Sequence, residues 1–157
     1  MFDVQQLADF AIQKIKDFSF EHPDEDFYAF AIDANLLCLN SVQCFQQKLK
    51  EYQDSWPDFY STDKQILKLK FNPGDWKYSD FANFKELECY DDFGNIIKAP
   101  FDQDAYDHHY YLDAIDQPYS EYAIAMNKIL DILKDKNAFD CLRTTSDFVI
   151  MRVEHNY

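Results

Sequence analysis

Phe27-Tyr28-Ala29-Phe30-Ala31-Ile32-Asp33-Ala34-Asn35-Leu36-Leu37-Cys38-Leu39 is the stretch that decides the fold. Phe27 to Ile32 is an unbroken apolar run, Asp33-Ala34-Asn35 interrupts it, and Leu36 to Leu39 is a second run. Runs this short, bounded by turn residues, read as two mostly buried strands joined as a hairpin. Upstream, Val4, Leu7, Ala8, Ala11, Ile12 and Ile15 recur at helical spacing, which predicts a helix over about 2–18. It ends at His22-Pro23, because a residue before proline avoids the helical region.

Downstream, Asn40 or Ser41 is placed to cap a helix over about 41–54, with Val42, Phe45, Leu49 and Tyr52 on one face. Lys64 to Phe71 alternates, Leu67, Leu69 and Phe71 against Lys68 and Lys70, and predicts a half-exposed strand. Asn72-Pro73-Gly74-Asp75 then reads as a turn with a positive φ at the glycine. Trp76 is expected to cap the core, and Asp75 to accept backbone N–H groups of that turn. A short hairpin is expected from Leu87–Tyr90 and Ile96–Lys98, then a loop holding a short helix or pinned by its tyrosines. Tyr122, Ala123, Met126, Ile129, Leu130 and Leu133 mark a helix over 119–135, and Phe148–Val153 a final strand. Helices and strands interleave without a βαβ rhythm. The expected class is α+β: one domain over 1–157, a mostly antiparallel sheet of about four to six strands, and three main helices on one face of it. An irregular acidic segment occupies about 79–117.

Composition narrows the function. The chain has 157 residues and a net charge of -14, a balance that in an apolar-poor chain means disorder. At 47% hydrophobic and 18% aromatic it can build a core instead, leaving the charge on the surface as a field that draws basic partners. Nucleic acid is disfavoured as a partner, since phosphates demand a basic surface. No apolar run is long enough to span a membrane, and the acidic N-terminal stretch lacks the features of a secretory signal. Four scattered cysteines (Cys38, Cys44, Cys89, Cys141) fit reduced, buried thiols, and cytoplasmic localisation is expected.

Enzyme signatures are missing. The two glycines, Gly74 and Gly94, cannot build a phosphate cradle, and no nucleophile elbow occurs. His22 and His155 have no nucleophile nearby in sequence, and Cys141 has only Arg143 as a neighbouring cation, so a structural thiol is the better reading. Asp104, Asp107, His108, His109 and Asp113 are the most enzyme-like cluster. Adjacent histidines point in different directions, however, which favours a solvated acidic segment over a shared cation. No catalytic residue, cofactor or metal is expected.

The segment from Glu86 to Asp116 holds nine acidic residues against Lys98 alone, interleaved with six aromatic rings. Carboxylates steer encounter, and tyrosines supply rigid contact area. The expected partner-binding residues are Asp91, Asp92, Asp102, Asp104, Tyr106, Asp107, Tyr110, Tyr111 and Asp113. The alternative reading of the same composition is a solvated loop whose rings fold back on the core.

Three stretches carry a resemblance. They are Phe27 to Asp33, then Leu67 to Tyr78 (LKLKFNPGDWKY), then Ile132 to Phe139 leading to Phe148-Val149-Ile150-Met151. This order resembles a bacterial family of unknown function whose members include immunity proteins encoded beside polymorphic or contact-dependent toxins. The resemblance spans roughly 1–157, and residues 79–117 depart from it most. It implies a cytoplasmic immunity protein that neutralises a cognate toxin, and the acidic, aromatic-rich surface adds the expectation that the toxin has a basic active-site cleft. The alternatives are a metal-assisted enzyme with its site around Asp104, Asp107, His108 and His109, and a generic protein-interaction domain.

Overall fold

In the computed structural model, which describes residues 1–153, the quoted hairpin is the centre of the sheet. β1 (Phe27–Asp33) and β2 (Leu36–Ser41) pair antiparallel, from Phe27 opposite Ser41 to Asp33 opposite Leu36. The tight turn between them puts Ala34 at φ 54, and the Tyr122 hydroxyl donates to the Ala34 carbonyl at 2.9 Å. β3 (Tyr78–Asn83) pairs antiparallel with β2, and β6 (Thr144–Arg152) runs parallel to β1, giving the order β3-β2-β1-β6. The fold is thus a single α+β domain with a mixed sheet in which antiparallel pairing predominates.

A bulge between Phe27 and Ala29 sets which side chains share a face. One extra residue in β1 brings Phe27 and Phe30 to the same side, where strict alternation would separate them. Phe27, Phe30, Ile32, Leu37 and Leu39 pack with Leu7, Ala11 and Ile15 of α1 (Val4–Glu21) and Met126, Ile129 and Leu133 of α5 (Glu121–Asp135). Tyr28, Ala29, Ala31, Cys38 and Trp76 form a second cluster on the other side, with Val42 and Phe45 of α2 (Val42–Ser55) against it. The sheet is therefore covered on both faces, not on one. The sequence carried the signal, since β1 reads as uniformly apolar, and uniform burial is what a strand covered on both sides requires. Each fully buried Phe or Leu contributes about 1.5–3 kcal/mol, so truncating Phe30, in the middle of β1, is expected to be strongly destabilising.

The expected strand over 64–71 is a helix, α3 (Asp63–Lys70). Thr62 accepts the Gln65 N–H while the Gln65 side chain accepts the Thr62 N–H, a capping box that satisfies two orphan donors at once. Ile66 and Leu69, three apart, lie on the inner side; Leu67 and Phe71 are exposed. Residues 73–75 form a single 3₁₀ turn, and Gly74 does not take a positive φ; Gly94 does. Trp76 is buried as expected, its Nε1–H donating to the Lys70 carbonyl at 2.9 Å. Asp75 binds side chains rather than backbone N–H groups: it accepts from the Tyr52 hydroxyl at 3.0 Å and Asn72 Nδ2 at 2.7 Å. The four cysteines are free, but only Cys38 is buried; Cys44 is half-buried, and Cys89 and Cys141 are exposed.

Candidate partner-binding surface

The segment expected to be irregular, about 79–117, holds most of β3, a 3₁₀ turn over Phe84–Leu87, a hairpin and a helix; the last two carry the candidate residues. The hairpin is β4 (Cys89–Tyr90) with β5 (Ile96–Lys98), as expected. Asp91 builds its turn: one carboxylate oxygen accepts the N–H groups of Phe93 and Asn95, each at 2.9 Å, and the other accepts Asn95 Nδ2 at 3.2 Å. These donors, Asn95 foremost, hold the carboxyl below its ordinary range. Gly94, at φ 82, lets the chain reverse. The outcome is a fixed loop whose apolar side chains face water. Phe93 is 91% exposed, and Tyr90, Ile96 and Ile97 are each more than half exposed. The Tyr90 hydroxyl donates to the Glu88 carboxylate, which raises the phenol's pKa.

The helix is α4 (Gln103–Tyr110), capped by Asp102, whose carboxylate accepts the Ala105 N–H at 3.0 Å. The Met1 ammonium also pairs with Asp102 and, with the cap, holds that carboxyl low. Asp102 is thus engaged inside the molecule. Asp107 accepts from Gln103 Nε2 at 2.8 Å and stays exposed, as do Asp104 and Asp113; Asp92 is exposed on the hairpin. Tyr106 is half-buried, its ring 4.9 Å from that of Tyr122. Tyr110 and Tyr111 are exposed, with ring centroids 5.4 Å apart. Ile115 and Tyr119 extend the exposed apolar set beyond the residues expected from the sequence. Of the nine expected residues, Asp92, Asp104, Asp107, Tyr110, Tyr111 and Asp113 present themselves to solvent; Asp91, Asp102 and Tyr106 chiefly shape the scaffold.

The two histidines part company. His108 is exposed, whereas His109 is 4% exposed, its Nδ1 2.6 Å from the Ser120 hydroxyl. Burial first, then the charge of Arg152, lowers the His109 pKa. Among the described residues no three His, Cys, Asp or Glu side chains are grouped as a cation would need, and His155 lies outside those residues. No described helix is long and apolar enough to cross a membrane.

The model of a family described as a domain of unknown function (DUF4303) matches residues 7–157. The chain belongs to this family. No curated protein and no solved structure matches it significantly.

One further constellation in this DUF4303 domain resembles a catalytic site more closely than the acidic segment does. Glu25 Oε1 accepts from the Ser41 hydroxyl at 2.7 Å and the Cys44 thiol at 3.1 Å. Its Oε2 accepts from the Tyr78 hydroxyl at 2.6 Å and lies 3.0 Å from His22 Nδ1. Burial pushes this carboxyl up, but the four donors, Tyr78 first, outweigh it and leave the pKa below the ordinary value. The Cys44 thiol is raised, mainly by burial, with the carboxylate beside it adding to the effect. A nucleophilic thiol needs the opposite shift. The cluster ties the end of α1, the start of α2 and β3 together, and its chemistry is that of a staple.

Proposed function

We propose that this DUF4303 domain is an immunity protein, a cytoplasmic inhibitor that captures a cognate toxin domain without transforming it. The observation that carries the reading is the union of one-signed charge with outward-facing rings. Phe93 and Tyr111 are 91% and 84% exposed in a segment of nine carboxylates and one lysine. A group of solvent-facing apolar side chains rimmed by charge is typical of interaction sites, and Tyr90, Phe93, Ile96 and Ile97 are all exposed on the one hairpin. The fixed hairpin turn supports it too, since a loop ordered before binding loses less entropy on docking.

The carboxylates of Asp92, Asp104, Asp107 and Asp113 steer a basic partner to this surface. Phe93, Tyr110 and Tyr111 then bury against it. A toxin acting on an anionic substrate has a cleft of the complementary sign, and an acidic protein seated over that cleft blocks it by bulk and charge. The resemblance in the sequence supplies the partner class. Co-expression with the C-terminal domain of the protein encoded immediately upstream tests the proposal, which requires that this domain alone arrest growth. A stable complex and restored growth are expected; growth arrest with no complex would overturn it. The geometry favours this reading over the metal-assisted alternative, since His109 is buried with its Nδ1 2.6 Å from the Ser120 hydroxyl while Asp104, Asp107 and His108 are exposed.

A further inference from the structure

A cavity of about 450 Å³ lies between the 59–62 turn and α3, away from the acidic segment. Phe59, Tyr60 and Leu69 give it apolar walls; Lys64, Lys68 and Asp75 give it charge of both signs. The lysines stand one turn apart on α3, four residues being the spacing that stacks side chains on one face. Among the described residues neither ammonium has a carboxylate within ion-pairing distance. Asp75 belongs to the turn after α3 and is held in place by Tyr52 at 3.0 Å and Asn72 at 2.7 Å. Each of its oxygens has taken one donor there, and a carboxylate accepts about four in all.

We infer that this cavity binds a small zwitterion with a flat apolar body, of which an aromatic α-amino acid is the simplest. The volume suits it, falling in the lower part of the roughly 300–1,000 Å³ range of ligand pockets. Lys64 and Lys68 take the ligand's carboxylate, Asp75 takes its ammonium, and Phe59, Tyr60 and Leu69 enclose the ring. A purely anionic ligand would face Asp75 unpaired, and a purely cationic one would face two lysines. Charge of both signs in one cavity therefore selects a ligand with both. This site does not depend on toxin binding.

The test is titration of the full chain with L-tryptophan, with tryptamine, which lacks the carboxylate, and with indole-3-propionate, which lacks the ammonium. Saturable binding of tryptophan is expected, with each analogue weaker by about tenfold or more. A Lys64→Gln, Lys68→Gln double variant, which alters only exposed side chains, is expected to lose tryptophan affinity by about the same factor while tryptamine, no longer facing two ammonium groups, binds more tightly than before. No saturable binding of tryptophan at millimolar concentration would overturn the inference. So would equal binding of all three compounds, or an affinity indifferent to the two lysines.

Discussion

The Tyr78 hydroxyl donates to Glu25 at 2.6 Å across a separation of 53 residues, and that bond joins the chain entering β1 to the edge strand β3. Glu25 also receives Ser41, the N-cap of α2, so one carboxylate holds three elements. A hydrogen bond to a charged group contributes about 1.5–3 kcal/mol, and the part-buried setting of this bond points to the lower end. Tyr78→Phe keeps the ring, which lies 4.9 Å from Phe18, and removes the hydroxyl, which also lies 3.2 Å from His22 Nδ1 and accepts from Cys44 Sγ at 3.9 Å. It is expected to destabilise the fold by about 1–2 kcal/mol in urea unfolding. An unchanged midpoint would mean that water replaces the hydroxyl at no cost.

Acidification should weaken the fold in two stages. His109 is buried and its folded-state pKa lies below 6.5, so the unfolded chain binds the proton more readily. Its contribution is complete above pH 6.5 and is lost as pH falls from there through the lower folded value. Glu25 and Asp102 are also depressed, from 4.5 and 3.8, so their contributions fade only as pH falls below those values. Melting temperature is expected to fall between pH 7 and pH 5.5, and His109→Gln is expected to flatten that upper stage. A wild-type melting temperature constant over that interval would contradict the role given to His109.

The four thiols are expected to separate into two classes. Cys89 and Cys141 are exposed and open to reagent. Burial pushes Cys38 up to about 12 and raises Cys44 as well, so both are protonated at pH 8. Thiol titration of the native protein should therefore show two fast groups, with the other two appearing on unfolding. A fast-reacting Cys44 would contradict the staple reading and reopen the case for a nucleophile.

What the sequence made legible followed from local pattern. The hairpin of β1 and β2, the helices carrying Leu7 and Met126, and the small hairpin around Asp91 were all visible as period, run or turn. The strand expected at 64–71 failed because Leu67 and Leu69 alternate by coincidence within one helical turn. The better signal was Thr62 with Gln65, a capping pair just outside the alternating run. β3 went unread because Tyr78–Asn83 is short and has only Ala82 fully buried. The Glu25 cluster draws on residues from 22 to 78, and proximity of that kind is a product of the fold. In the candidate surface, the sequence identified the acidic, aromatic composition. It could not separate Asp91 and Asp102, used to build the scaffold, from Asp92 and Tyr111, left facing solvent.

If the exposed rings serve a partner, removing them should cost the free protein little. Phe93→Ala and Tyr111→Ala remove side chains that are almost fully solvated, and each is expected to shift unfolding free energy by no more than about 0.5 kcal/mol. A loss of several kcal/mol would mean that these rings pack against the domain, and the surface would lose its anchors.

The most direct test is the kinetics of association with the toxin domain captured in the co-expression experiment, measured from low to high salt. Exposed charges are screened beyond about 8 Å at physiological ionic strength, so the on-rate is predicted to fall by about tenfold or more as salt rises. The Phe93→Ala, Tyr111→Ala double variant is predicted to speed dissociation while keeping that salt dependence. An on-rate indifferent to salt, together with an unchanged off-rate in the double variant, would contradict the account.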